Sequence, residues 1–245
     1  MMIENIIPYF QPQIDIKTGR IAGAELLSRY RCEDSSILTP DKYLATVKSS
    51  GMIEVHDLFM LEEACRFYCR LAGKDRALVE ELIFSVNFTR AHLKEESFAR
   101  SVEQLVGMYD IPPGHIEIEI TEKGNIENIL RIKRNVEMVR KAGIRVAIDD
   151  FGTGSSDLLF LKEIEFDTMK IAGEFLREPV SRREMAILEG IVKLAQQTNT
   201  RIIAEGVETP AMKETVSTLG CRLVQGWFFS EALPEDKFEE LLFRM

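Results

Sequence analysis

No hydrophobic run among the 245 residues approaches the ~18 that a membrane helix needs. Residues 1–9 carry Glu4 and no basic segment, so they do not form a secretory signal. Both absences predict a cytoplasmic protein. Cysteine is scarce, at four residues. Cys65 and Cys69 stand four apart on a helical pattern rather than as Cys-x-x-Cys, and Cys32 and Cys221 lie far away, so all four read as reduced thiols. His56, His92 and His115 are isolated and show no zinc spacing. No low-complexity segment or linker divides the chain, and its length fits one large domain. Positive charge is also short: the net charge of −9 argues against a DNA or RNA polymer, or a membrane, as partner. A small phosphate-bearing substrate stays open, provided metal ions or a few local cations meet it.

What the chain does have is the stretch Arg145-Val146-Ala147-Ile148-Asp149-Asp150-Phe151-Gly152-Thr153-Gly154. Val146, Ala147 and Ile148 read as a short buried strand, and the glycines as a tight turn past its end. Two adjacent carboxylates at a buried strand end repel each other and stay ionised together only around a cation. The plainer reading makes Asp150 a helix cap and Asp149 partly solvated. On this stretch alone the two readings are level.

The remaining pattern alternates strand and helix. Residues 9–16 and 21–27 read as strands joined by the turn Lys17-Thr18-Gly19-Arg20, too short for anything but an antiparallel hairpin. Thr39-Pro40-Asp41 starts a helix. Residues 54–71 are helical, 81–88 a strand, and 92–108 a helix. Residues 115–120 alternate strictly, with Ile116, Ile118 and Ile120 on one face and Glu117 and Glu119 on the other. Helices follow at 125–141, 155–162, 182–197, 209–219 and 234–243, with strands at 166–171, 201–204 and 222–224. Eight strands in this order predict an α/β fold, a β/α (TIM-like) barrel with an antiparallel first strand. An open doubly wound sheet competes, but its Gly-rich phosphate loop after the first strand is missing.

The strand ends decide between the readings of the two aspartates. They carry Glu25, Asn87, Glu119, Asp149 with Asp150, Lys170, Glu205 and Gln225. In a barrel these ends converge on one face, where the active sites of this architecture lie. Singly, each has a plain explanation: Glu119 facing solvent, Asn87 satisfying backbone, Lys170 snorkelling, Gln225 in a turn. Jointly they do not, because independent surface residues would not all fall at one structural position. Five carboxylates in one mouth need counter-charge. An all-oxygen set without His or Cys favours Mg²⁺ or Mn²⁺. Adjacent aspartates suggest two ions about 3.5–4 Å apart, the clamp used for in-line attack on a phosphodiester. Lys170, the one cation of the set, orients or deprotonates water, or balances charge.

With these residues in view, the chain resembles the EAL family of cyclic di-GMP phosphodiesterases. The resemblance rests on Glu25-Leu26-Leu27-Ser28-Arg29-Tyr30, Ser85-Val86-Asn87-Phe88, Glu119-Ile120-Thr121-Glu122, residues 149–154, Met169-Lys170-Ile171, Ala204-Glu205-Gly206-Val207-Glu208-Thr209 and Gln225-Gly226, in order and spacing. It runs from Tyr9-Phe10-Gln11-Pro12 to Ala232-Leu233-Pro234. It implies hydrolysis of cyclic di-GMP to linear pGpG with two Mg²⁺ or Mn²⁺ ions. By position, Glu25, Asn87, Glu119 and Asp149 look like ligands of one ion, and Asp149, Asp150 and Glu205 like ligands of the second. Lys170 looks like the water-orienting base. Gln225 looks like a polar residue beside the metals, and Arg29 and Gln11 like substrate contacts. Glu122 and Glu208 look like anchors of the loop after Asp150, a loop tied to homodimer formation in the family. Residues 1–245 then read as a single domain of this kind, with no sensor, cyclase or transmembrane domain.

The chain departs from the family pattern in places. Leu26 replaces Ala in the motif that names the family, Tyr30 replaces Trp, and Ala172 stands where Asp is common. Ser155 and Asp157 alter the loop after Gly154. These changes bear on turnover and dimer coupling more than on metal binding. A cyclic di-GMP receptor without useful catalysis, or a protein-interaction module, is the alternative to an active enzyme.

Overall fold

The computed structural model describes residues 3–121, 129–153, 157–177 and 179–244. After a short 3-10 turn, β1 (Ile6–Asp15) and β2 (Ile21–Arg31) form the opening antiparallel hairpin. Asp15 closes its turn by accepting the Lys17 N–H at 2.9 Å, a local bond that Asp side chains favour. A two-residue strand β3 (Ile37–Leu38) pairs with the far end of β2. Helices α1 (Pro40–Ser49), α2 (Ile53–Lys74) and α3 (Arg76–Val79) then return the chain to β4 (Ile83–Phe88). α2 buries Met60, Leu61, Ala64, Cys65, Tyr68 and Leu71, a spacing that keeps one apolar stripe on the sheet.

From β4 onward the chain winds in one sense: α4 (Arg90–Leu93), α5 (Phe98–Val106), β5 (Ile116–Thr121), α6 (Ile129–Lys141), β6 (Arg145–Phe151), α7 (Asp157–Glu163) and β7 (Thr168–Ile171). The rest is α8 (Arg182–Gln197), β8 (Arg201–Ala204), α9 (Pro210–Thr218), β9 (Leu223–Val224), the short β10 (Leu233–Pro234) and α10 (Glu235–Leu242). Strands β2, β4, β5, β6, β7, β8 and β9 are parallel neighbours in that order. β1 is antiparallel to both β2 and β9 and closes the ring. The expected barrel with its reversed first strand is thus the fold. α10 packs over the closure, with the Phe10 and Phe238 rings stacked at 5.2 Å.

The alternation on β5 marks two buried faces. Ile116, Ile118 and Ile120 pack outward under the helices, whereas Glu117 and Glu119 point into the barrel with no exposed surface. Glu119 does not face solvent. Below it, Glu117 Oε1 accepts from Thr168 Oγ1 at 2.6 Å and from Arg145 Nε at 3.2 Å, which pairs the buried charge.

Some elements differ from expectation. The helix expected over 92–108 is two helices, α4 and α5. At the junction Asn135 Nδ2 donates to the carbonyls of Leu93 (2.8 Å) and Glu95 (2.9 Å). The strand expected over 146–148 runs on to Phe151. The start of the helix expected at 125, and residues 155 and 156 of the next, lie outside the described residues. None of the described helices is long and apolar enough to cross a membrane.

Candidate functional site

The C-terminal ends of the parallel strands carry a polar layer inside the barrel mouth. Lys170, on β7 and fully buried, is its centre. Its Nζ lies 2.5 Å from Glu119 Oε2, 2.8 Å from Glu205 Oε1, 2.9 Å from Glu25 Oε2 and 3.4 Å from Asp149 Oδ1. Glu25 is not at a strand end. It sits midway along β2, which overshoots its parallel neighbours to pair with β1, and it faces Gln11 across that pair. Its carboxylate is held from both sides: Asn87 Nδ2 donates to Oε1 at 2.6 Å and Gln225 Nε2 to Oε2 at 2.6 Å. Gln225 also donates to Gln11 Oε1 at 3.2 Å.

Asp149 and Asp150 would point to opposite faces of a regular strand. They do not, because Asp150 adopts φ 55° and the β6–β7 register shifts between Ile148 and Phe151. Such an irregularity re-aims a side chain. The result is that one carboxylate oxygen from each of Asp149, Asp150 and Glu205 lies within 4.8 Å of the others, a group that could hold a metal ion. Gly152 follows at φ 96° and turns the chain away.

Crowding sets the protonation of the site. Burial pushes the Glu119 carboxyl well above its ordinary value, and the charges of Glu25, Asp149 and Glu205 add to the shift against the pull of Lys170. Burial likewise raises Asp149, and it raises Glu205 to about 8. Glu25 is the exception: burial pushes it up, but the Lys170 charge and the hydrogen bonds from Lys170, Gln225 and Asn87 hold it below the usual range. Burial disfavours the Lys170 ammonium, yet Asp149, Glu119, Glu205 and Glu25 together raise it well above its ordinary value. Lys170 is therefore a protonated donor here. In this layer the buried Glu119 Oε1 and Gln225 Oε1 have no hydrogen-bond partner among the described residues, and Asp149 Oδ1 has none beyond the 3.4 Å approach of the Lys170 ammonium. Buried carboxylate oxygens left so are costly unless a cation meets them.

Of the other expected residues, Gln11 and Gln225 join the polar layer. Arg29 lies four residues beyond Glu25 on β2, with its guanidinium 5.3 Å above the Tyr9 ring. Glu208 is exposed just beyond β8, and the loop it is expected to anchor reaches into 154–156, outside the described residues. Glu122 lies outside them too. Two of the histidines are not isolated. His56 and His92 are buried on either side of Asp57, whose carboxylate also accepts from Thr89. Nothing in the sequence marks that meeting, since the adjacent His56 and Asp57 stand more than 30 residues before Thr89 and His92 and the four hold no motif spacing.

A cavity of about 900 Å³ opens at the opposite pole of the barrel, lined by Arg20, Arg145, Arg201 and Arg222 beside Asp15, Glu80 and Glu81. Two of these arginines are paired, Arg222 with Asp15 and Arg145 with Glu117. The chemistry lies with the crowded carboxylates at the other end.

A family model described as EAL domain matches residues 2–232. The chain is 32% identical over 237 residues to the cyclic di-GMP phosphodiesterase NbdA of Pseudomonas aeruginosa, covering 96% of this chain and 30% of that protein. It is 31% identical over 229 residues to the oxygen sensor protein DosP of Escherichia coli, covering 93% of this chain and 28% of that one. Among solved structures, the PaMucR phosphodiesterase in its c-di-GMP complex matches with a TM-score of 0.87 at 28% identity, over 96% of this chain and 94% of that chain. The chain thus spans under a third of the length of these curated relatives.

Proposed function

Because the chain belongs to the EAL domain family, we propose that it hydrolyses cyclic di-GMP to linear pGpG with divalent metal ions, lowering the level of that second messenger. The observation that carries the proposal is the convergence of Glu25, Asn87, Glu119, Asp149, Asp150 and Glu205 around Lys170, with unpartnered carboxylate oxygens aimed inward.

The residues fit two hard cations. All donors are oxygens, the carboxylates outnumber the one ammonium, and Asn87 directs its Nδ2 to Glu25, which leaves Oδ1 for a metal. Glu25, Asn87, Glu119 and Asp149 would hold one Mg²⁺ or Mn²⁺, and Asp149, Asp150 and Glu205 the second. When bound, such ions supply Lewis acidity at the scissile phosphate and make water more acidic.

The protein's own side chains do the rest. Gln225 and Asn87 fix both oxygens of Glu25. Lys170, as an ammonium, donates toward the centre and orients the attacking water; its raised proton affinity favours orientation over abstraction. Arg29 meets a substrate phosphate with a planar fork that suits it. Gln11 completes the substrate wall beside Gln225. Glu122 and Glu208 anchor the loop after Asp150. A cytoplasmic homodimer completes the proposal, and sedimentation would test its stoichiometry.

The test is anion-exchange chromatography of cyclic di-GMP after incubation with the protein and Mg²⁺ or Mn²⁺, beside Glu25→Ala. Product pGpG with the wild type and none with the variant is expected. One observation favours a second reading: Ala172, where the family pattern commonly has Asp, is buried beside the site, so a carboxylate is lost there. Tight nucleotide binding by calorimetry without any pGpG would make the chain a receptor.

A further inference from the structure

Asp57 lies outside the barrel, near the start of α2, and is only 2% exposed. Its Oδ2 accepts the N–H and the O–H of Thr89, both at 3.0 Å. His56 Nδ1 lies 3.3 Å from Oδ1, and His92 Nδ1 lies 3.5 Å from Oδ2. An isolated buried carboxylate would be expensive. This one accepts two hydrogen bonds from Thr89 on the segment leaving β4, and the rings of His56 and His92 flank it. Burial pushes its carboxyl up, but the hydrogen bonds from His56, His92 and Thr89 hold it below the usual range, so it is a carboxylate.

The geometry matters because of where Thr89 stands. It is the residue before α4 and comes two after Asn87, whose amide meets Glu25 at 2.6 Å. The backbone between Asn87 and Thr89 is a single residue, Phe88, which is buried. A shift at Thr89 therefore passes directly to Asn87. Partners behind a metal ligand fix its orientation, and their loss weakens metal binding.

We infer that Asp57 is a positioning residue for the metal centre: by holding Thr89 it fixes the exit of β4, and so the Asn87 amide against Glu25. The inference rests on the proposed role of Asn87 as a ligand. The His56–Asp57–His92 group is not a metal site of its own. Among the described residues, only Asp149, Asp150 and Glu205 bring three ligand atoms of these types within 4.8 Å of one another.

The test is direct Mn²⁺ binding, followed by the electron paramagnetic resonance signal of free Mn²⁺, on the wild type, Asp57→Asn and Thr89→Val. Asp57→Asn keeps the shape but can turn an N–H donor toward the Thr89 donors. Thr89→Val removes only the O–H contact. Met60→Ala, also buried on α2, serves as a packing control. Mn²⁺ affinity is expected to fall about tenfold in Asp57→Asn and about threefold in Thr89→Val. Met60→Ala should lower the melting temperature and leave Mn²⁺ affinity at the wild-type value. Unchanged affinity in Asp57→Asn beside a wild type that binds Mn²⁺ and makes pGpG overturns the inference alone. If Asp57→Asn does not fold, unchanged affinity in Thr89→Val does the same. A wild type that binds no Mn²⁺ overturns the proposed function and takes the inference with it.

Discussion

Asp149 and Asp150 are consecutive residues of β6, yet each offers an oxygen to the same cluster with Glu205, all within 4.8 Å. The cause is the left-handed backbone of Asp150, at φ 55°. An L-residue other than Gly adopts that conformation at a cost of about 1–2 kcal/mol. The chain thus holds two like charges together by means of local strain, an arrangement that stability alone would not favour. Strain of this kind clusters at functional sites.

Asp150→Gly separates the two costs from the function. Glycine adopts the left-handed region freely, and the change removes one carboxylate from the crowd. In EDTA the variant should be about 1 kcal/mol more stable than the wild type, a rise of about 2–4 °C for a chain of this size. Its pGpG production should fall at least tenfold, and Mn²⁺ should raise its melting temperature less. Calorimetry with and without Mn²⁺ checks both. A lower melting temperature in EDTA would mean that the carboxylate stabilises the metal-free fold, contrary to this account.

Lys170→Met removes the only ammonium that, among the described residues, meets Glu25, Glu119, Asp149 and Glu205. Breaking a buried charge set from one side costs about 3–5 kcal/mol, unless the carboxylates left behind take up protons. The loss should therefore be larger at pH 8 than at pH 5. Turnover should fall by about 10²–10⁴-fold. Urea unfolding at the two pH values separates these effects, and equal stability losses at both would count against the ammonium as the site's counter-charge.

The raised acids give the metal-free protein an unusual pH dependence. Glu205 titrates at about 8 in the fold instead of 4.5, and Glu119 and Asp149 are raised as well. Between those limits the native state holds protons that the unfolded chain has released, so stability falls as pH rises from about 4.5 to 8. Glu25 runs the other way: its depressed pKa makes its share of stability disappear only as pH falls below 4.5. The melting temperature in EDTA should decline across pH 5–8, and less so with Mn²⁺. Metal binding at pH 7 should release protons, read as a dependence of the calorimetric heat on buffer ionisation enthalpy. No such dependence would contradict the raised carboxyls.

Much of this site is legible in the residues, and the gaps have physical causes. The eight strands and the reversed first one follow from periodicity and from the short turn after β1. The period-2 pattern of β5 identifies Glu117 and Glu119 as sharing a face, but not which face meets water. Closure of the barrel alone puts both inside. Asp150 is recognisable as a candidate by type, whereas its aim depends on one backbone angle that no propensity encodes. The junction between α4 and α5 is bonded by Asn135, some 40 residues away. The partnership of Asp57 with Thr89 spans 32 positions and leaves no periodic trace. Local pattern carries the elements and the ligand types; tertiary contacts carry their orientation.

Gly226→Ala tests how the last strand positions its glutamine. A Cβ at Gly226 would lie 2.2 Å from the Val207 carbonyl oxygen and 2.3 Å from its nitrogen. Those same backbone groups are engaged: Val207 N–H donates to Gln225 O at 3.1 Å, and Phe228 N–H donates to Val207 O at 3.0 Å. The segment after β8 and the segment after β9 are thus joined backbone to backbone, one bearing Glu205 and the other Gln225. No flexible side chain can yield, so the added methyl must part the two segments. Overpacking of this kind costs about 1–3 kcal/mol. It should also draw Gln225 from Glu25 and Gln11, its partners at 2.6 and 3.2 Å. Gly226→Ala should therefore lose both stability and pGpG production. Gln225→Ala, which leaves the backbone junction intact, should lose product formation with at most a small change in melting temperature. If Gly226→Ala melts lower but keeps full turnover, the junction supports the fold without positioning Gln225.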